Sequence, residues 1–240
     1  MKNLVLVHGY LGGSSQWAEQ VKQFSDDFNV IGIDLPGFGV NNDIKAPVTI
    51  TGFAQYVLGE LDRQEVDHFH LLGHSMGGMI AQEMVSLAPE RVDRLILYGT
   101  GPVGVLPGRF ETLDESRKRV ENLGVETVGP AIAATWFLHG TKATGYKICA
   151  DLALKASLQA AMAGLSAMQT WSGVSRLKDI SSKTLVLWGD GDRAYLWQQP
   201  EQLWNEIKDS QLAVLPGCSH AVHLEKPQLF NAILKDFLLT

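Results

Sequence analysis

The sequence predicts an α/β fold with a mostly parallel central sheet, helices on both faces and a helical cap insertion. Three observations predict it. Short runs that are apolar at every position alternate with stretches of helical spacing, the pattern of strands covered on both faces by crossover helices. One of these runs, within His68 to Ala81 (HFHLLGHSMGGMIA), leads through G-x-S-x-G directly into a helical pattern. Residues 103 to 180 hold helical patterns but no clear strand, far more chain than one crossover helix needs.

Taken in order, Leu4 to Val7 reads as a buried parallel strand, followed by the glycine-dense loop His8-Gly9-Tyr10-Leu11-Gly12-Gly13. Trp17, Val21 and Phe24 stand at helical spacing, with Ser14 or Ser15 as N-cap. Val30 to Ile33 is a second strand, and Asp34 to Gly39 has turn chemistry. A helix over about 50 to 64 precedes the central strand and its serine turn. Strands follow at Val92 to Tyr98, Thr184 to Trp188 and Leu212 to Leu215. Helices are expected over Pro200 to Ile207 and Pro227 to Leu238. The division expected is therefore a core of residues 1–102 and 181–240, with 103–180 as the cap. Within the cap, Asp114 to Leu123 and Tyr146 to Trp171 read as helical stretches.

Composition narrows the function classes. The 45% hydrophobic and 19% charged content is that of an ordinary globular protein. A net charge of −6 without a basic block argues against nucleic acid or an anionic membrane as partner. No apolar run is long enough for a transmembrane helix, and MKNLVLVHGY lacks a secretory core. Cys149 and Cys218 imply no disulfide framework and fit a reducing compartment, so a cytoplasmic location is expected.

The G-x-S-x-G turn carries the chemistry. So sharp a reversal strains Ser75, while glycines at 73 and 77 remove the Cβ atoms that would collide. The Ser75 hydroxyl is then raised above the sheet edge, and the Met76 N–H points to the same space at a helix N-terminus. A serine needs a base, usually a histidine oriented by a carboxylate. Of seven histidines, His220 is best placed, on the loop after the last strand, with His223 in reserve. Asp190 and Asp192 both follow a strand; Asp192 is the chosen acid, because Asp190-Gly191 also suits a tight turn. The backbone N–H of Tyr10, with Leu11 as alternative, is the expected second oxyanion donor beside that of Met76. No G-x-G-x-x-G or Walker lysine is present, so phosphate cradling is not expected.

With LVLVHGYLGG, DLPGFG, GHSMGG, LVLWGDGD and GCSHAVHLEKP in register, the chain resembles the α/β-hydrolase superfamily, bacterial carboxylesterases among its members. The resemblance spans everything except the insertion. It implies Ser75 as nucleophile, Asp192 as acid and His220 as base, and explains His220, His223 and Glu225 without a metal. No cofactor is expected. Many relatives carry an antiparallel hairpin ahead of the His-Gly strand, whereas this chain begins directly on it.

The expected function is therefore a serine esterase acting on a small-molecule ester, lactone or thioester through an acyl-enzyme. Leu11, Trp136, Phe137 and Met162 are the candidate substrate contacts, although apolar cap residues more often serve packing. Three rivals use the same scaffold. They are carbon–carbon bond hydrolysis of a dienone-type acid, a hydroxynitrile-lyase-like lyase, and a ligand receptor.

Overall fold

The computed structural model describes all 240 residues. Six strands, β1 (Lys2–Val7), β2 (Phe28–Ile33), β3 (Phe69–His74), β4 (Val92–Tyr98), β5 (Lys183–Gly189) and β6 (Gln211–Leu215), form one sheet. Their order is β2-β1-β3-β4-β5-β6, and every pairing is parallel. The chain runs outward from β1 to β2, then crosses back past β1 to β3. That reversal opens a crevice between the carboxyl ends of β1 and β3, where His8-Gly9 and Ser75 lie.

The apolar strands are explained by two cores. Leu4, Leu6, Leu72, Ile96, Leu185 and Leu187 point to one face, where they meet Trp17, Phe24, Phe230 and Phe237. Their neighbours Val5, Val7, Leu71, Leu95, Leu97 and Val186 point to the other, against Phe53, Val57, Met79 and Ile80. Successive strand side chains alternate in direction, so both faces must be covered. Helices α1 (Ala18–Phe24) and α10 (Pro227–Leu239) cover the first face. The second is covered by α2 (Ile50–Arg63), α3 (Met76–Leu87) and α8 (Gln198–Glu206). A four-residue helix, α9 (Val222–Glu225), lies between β6 and α10. Fully burying one such aliphatic side chain contributes about 1.5–3 kcal/mol.

Between β4 and β5 lie α4 (Leu113–Leu123), α5 (Val125–Thr135), α6 (Tyr146–Ala153) and α7 (Leu158–Gln169). The segment leaves and rejoins the sheet at one place. Gly104 N–H donates to the Trp171 carbonyl at 3.1 Å, and Gly173 N–H to that of Pro102 at 2.8 Å. The buried Glu83 on α3 fastens the same base, accepting from Trp171 Nε1 at 3.0 Å and Arg176 Nη2 at 2.6 Å. Leu113, Val120, Val128, Ile132 and Leu165 belong to the same continuous core as Val5 and Met79.

Two local expectations need correction. Tyr146 to Trp171 is not one helix, because α6 and α7 meet at 104°. Ser157 marks the break by capping the second helix, its hydroxyl accepting from Ala160 N–H at 3.1 Å. Neither Ser14 nor Ser15 caps α1, which is preceded by a 3₁₀ turn over Ser14–Trp17. The Ser14 hydroxyl donates to the Asp34 carboxylate instead.

Candidate active site

Serine is a favoured N-cap, with its hydroxyl turned onto the first helical N–H groups. Ser75 occupies the N-cap position of α3 but makes no such bond, and its backbone sits at φ 58°, ψ −122°. Positive φ on a non-glycine residue is strained, and the surroundings hold it there. Ser75 N–H donates to the Tyr98 carbonyl at 3.0 Å, and Thr100 Oγ1 donates to the Ser75 carbonyl at 2.8 Å. A Cβ on Gly73 would strike the Gly77 carbonyl, and one on Gly77 would strike the Val7 and His8 carbonyls. The turn thus packs directly under the first glycine loop. Gly9 approaches so closely that a Cβ there would lie 2.8 Å from Ser75 Cβ.

His8 organises that loop. Its Nε2 accepts from Leu35 N–H at 3.0 Å, which leaves Nδ1–H to donate to the Gly9 carbonyl at 2.7 Å. Burial lowers its pKa, keeping the ring neutral. The N–H groups of Tyr10, Leu11 and Met76 make no hydrogen bond within the protein.

His220 lies buried at the carboxyl edge, its Nδ1–H donating to Asp192 Oδ2 at 2.7 Å. The other Asp192 oxygen accepts from the N–H groups of Ala194 at 2.8 Å and Tyr195 at 3.1 Å. Three hydrogen bonds fix this carboxylate and, through it, the imidazole orientation. Asp190 serves the turn before His220 and not the imidazole, its Oδ1 accepting from Gly217 N–H at 2.7 Å. Ser219 ties the two loops together, its hydroxyl donating to the Gly191 carbonyl at 3.0 Å. Glu225 accepts from Ser219 N–H at 2.6 Å and Leu138 N–H at 2.8 Å, joining the histidine loop to the helical segment.

Behind His220 is a buried polar cluster. Tyr98 Oη and His74 Nε2–H both donate to the His220 carbonyl, at 2.9 and 3.1 Å. Burial, then the neighbouring His220 and His223, hold the His74 pKa well below that of free imidazole. His223 is lowered to about 3 by burial and by His220, with Nδ1 against the Tyr98 hydroxyl at 3.0 Å. His74 and His223 are therefore neutral supports.

Ser75 and His220 line one narrow cleft with Tyr10 and Trp136. Of the four apolar candidates, only Trp136 reaches it. Leu11 and Phe137 are turned into the core, and the half-buried Met162 packs against that core. The sequence reading missed Tyr195, whose ring stacks on His220 at 5.5 Å and 11°. Its hydroxyl faces Ser75 and Thr100, and burial pushes its pKa up to about 12. Its position three residues after Asp192 was the one local signal for it. Tyr98 and Ser219 were also missed, since their roles depend on contacts between distant loops.

A model of the family described as alpha/beta hydrolase fold matches residues 2–227. A 2-hydroxy-6-oxononadienedioate/2-hydroxy-6-oxononatrienedioate hydrolase of Pseudomonas putida is 30% identical, over 99% of this chain and 88% of its own. RutD of Agrobacterium fabrum, a carbamate hydrolase by name, is 25% identical over 98% of this chain and 92% of its own. The crystal structure of the enol-lactonase from Burkholderia xenovorans LB400 superposes with a TM-score of 0.91 at 23% identity. That superposition covers 100% of this chain and 92% of the lactonase.

Proposed function

The chain belongs to the α/β-hydrolase family, and from that premise we propose that it is a serine hydrolase of small carboxylic esters, lactones or thioesters. The observation that carries the reading is Ser75 on a strained turn, sharing a cleft with a histidine whose Nδ1–H is bonded to a buried carboxylate. In this reading His220 Nε2 takes the Ser75 proton as Oγ attacks the carbonyl carbon. The N–H groups of Tyr10 and Met76, otherwise without partners, stabilise the resulting oxyanion. His220 then returns the proton to the leaving alkoxide or thiolate, and the acyl group remains on Ser75. Water repeats the sequence and releases the acid. Asp192 keeps the imidazole in the tautomer with Nε2 free. Residues 103–180 act as the cap over this site.

A second reading, carbon–carbon bond hydrolysis of a dienone-type acid, is favoured by the relative at 30% identity over 99% of the chain. A p-nitrophenyl ester series from acetate to decanoate, run with wild type and Ser75→Ala, tests the first. Turnover lost in the variant supports it. Absence of both turnover and fluorophosphonate labelling of Ser75 overturns it. Labelling without turnover moves the carbon–carbon reading forward, to be assayed on a 6-oxo-dienoate.

A further inference from the structure

We propose that the cleft recognises a substrate bearing a free carboxylate besides its scissile acyl group, with the Arg109 guanidinium and the Tyr10 hydroxyl as partners of that anion. This rests on the hydrolase reading of the same cleft and narrows its substrate class.

Arg109 lines the cleft together with Ser75, Tyr195 and His220. A guanidinium carries five donors, yet this one makes a single hydrogen bond, from Nη1 to the Glu111 carbonyl at 3.2 Å. Its Cζ lies over the Phe110 ring at 5.0 Å. The nearest competing carboxylate is engaged in part: Glu111 Oε2 is held by Arg119 at 2.8 Å, while its buried Oε1 has no hydrogen-bond partner. No carboxylate oxygen lies within 4.0 Å of Arg109. Burial lowers the Arg109 pKa, and the neighbouring Tyr195, Glu111 and Tyr10 offset that only in part.

A second, independent group points the same way. Tyr10 lines the cleft at 5% exposure, and its hydroxyl has no hydrogen-bond partner. Buried donors without acceptors are uncommon and costly. Burial raises the Tyr10 pKa, and Arg109 is the first of the charges that oppose the rise. A carboxylate presents two acceptor oxygens and suits a fork of N–H donors with one added hydroxyl. Leu106, Leu113, Ile132 and Met168 make much of the remaining lining apolar.

The test compares matched esters. One pair is p-nitrophenyl butyrate and mono-p-nitrophenyl glutarate, with the charge on the acyl side. The other is phenyl acetate and 4-acetoxybenzoate, with the charge on the leaving group. We expect kcat/KM in wild type to favour the charged member of at least one pair by about tenfold or more, the ratio given by ~1.4 kcal/mol. Arg109→Met should abolish that preference mainly through KM, Arg109→Lys should keep part of it, and Tyr10→Phe should reduce it. Thermal melts of each variant check folding. Slowing of fluorophosphonate labelling by glutarate but not glutaramide, weakened in Arg109→Lys and lost in Arg109→Met, reads the same subsite without turnover. Equal handling of charged and neutral esters, or equal losses on both in the variants, would overturn the anion subsite while leaving the hydrolase reading intact. Neither hydrolysis nor labelling would overturn both.

Discussion

At Ser75, strain and function can be separated. Its backbone conformation (φ 58°, ψ −122°) costs a non-glycine residue about 1–3 kcal/mol, whereas glycine loses about 0.5–1 kcal/mol of extra chain entropy on folding. Ser75→Gly should therefore stabilise the fold by about 1 kcal/mol while removing turnover, and urea melts with an ester assay read both. Asp192→Asn should lower kcat by roughly 10⁴-fold, because the imidazole loses the acceptor that sets its tautomer. Asp190→Asn should cost little, since Asp190 closes a turn and does not touch His220; the reverse ranking would refute the assignment of the acid. The buried histidines predict a pH dependence. His223 has a folded pKa of about 3 against 6.5 when unfolded, so between these values the unfolded state binds the extra proton. Its contribution is intact above pH 6.5 and shrinks as pH falls, by about 1.4 kcal/mol per pH unit. His223→Gln should flatten the stability curve between pH 4 and 6 by about that slope, measured by urea melts.

Among elements, the loop after β6 is held from three directions, by Asp192, by Tyr98 with His74, and by Glu225. Glu225 matters because it also holds Leu138 N–H, so one carboxylate registers the histidine loop against the segment between β4 and β5. Glu225→Ala leaves two part-buried N–H groups without an acceptor, at about 1–3 kcal/mol for each that water cannot reach. The variant should melt earlier and lose kcat by about tenfold, the loss expected if His220 drifts from its working position. Unchanged kcat with a lowered melting temperature would restrict Glu225 to a structural role. The strands were legible because each is apolar on both faces, and Val92–Tyr98 matches the sequence reading residue for residue. The boundary between α6 and α7 was not legible. Apolar residues run through both helices, so the Ser157 cap is the local mark and the 104° turn comes from packing.

Over the whole molecule, one continuous core joins the α2–α3 face of the sheet to the helices between β4 and β5. The base of that segment is closed by backbone bonds, so a short Gly-Ser bridge from Pro102 to Gly173 could span the gap. The resulting chain should nevertheless lose cooperative unfolding and bind a hydrophobic dye, because Tyr10 and Phe38 would lose the α7 surface at Gly164 against which they pack. A sharp two-state melt would show that the sheet and its remaining helices suffice. No single helix is long and apolar enough to cross a membrane. The parallel sheet, the serine turn and the two loops bearing Asp192 and His220 could all be read from the residues alone. Those features depend on local signals: apolar runs, glycines that avoid collisions, and position after a strand. The choice of Asp192 as partner of His220 came from chain position. The 2.7 Å contact between them, the stacking of Tyr195 on His220 and the meeting of Arg109 and Tyr10 in one cleft belong to the folded chain. The first of these pairs residues 28 apart in the chain and the last residues 99 apart. Such contacts follow from how loops at one sheet edge pack together, and chain-local patterns carry no record of that packing.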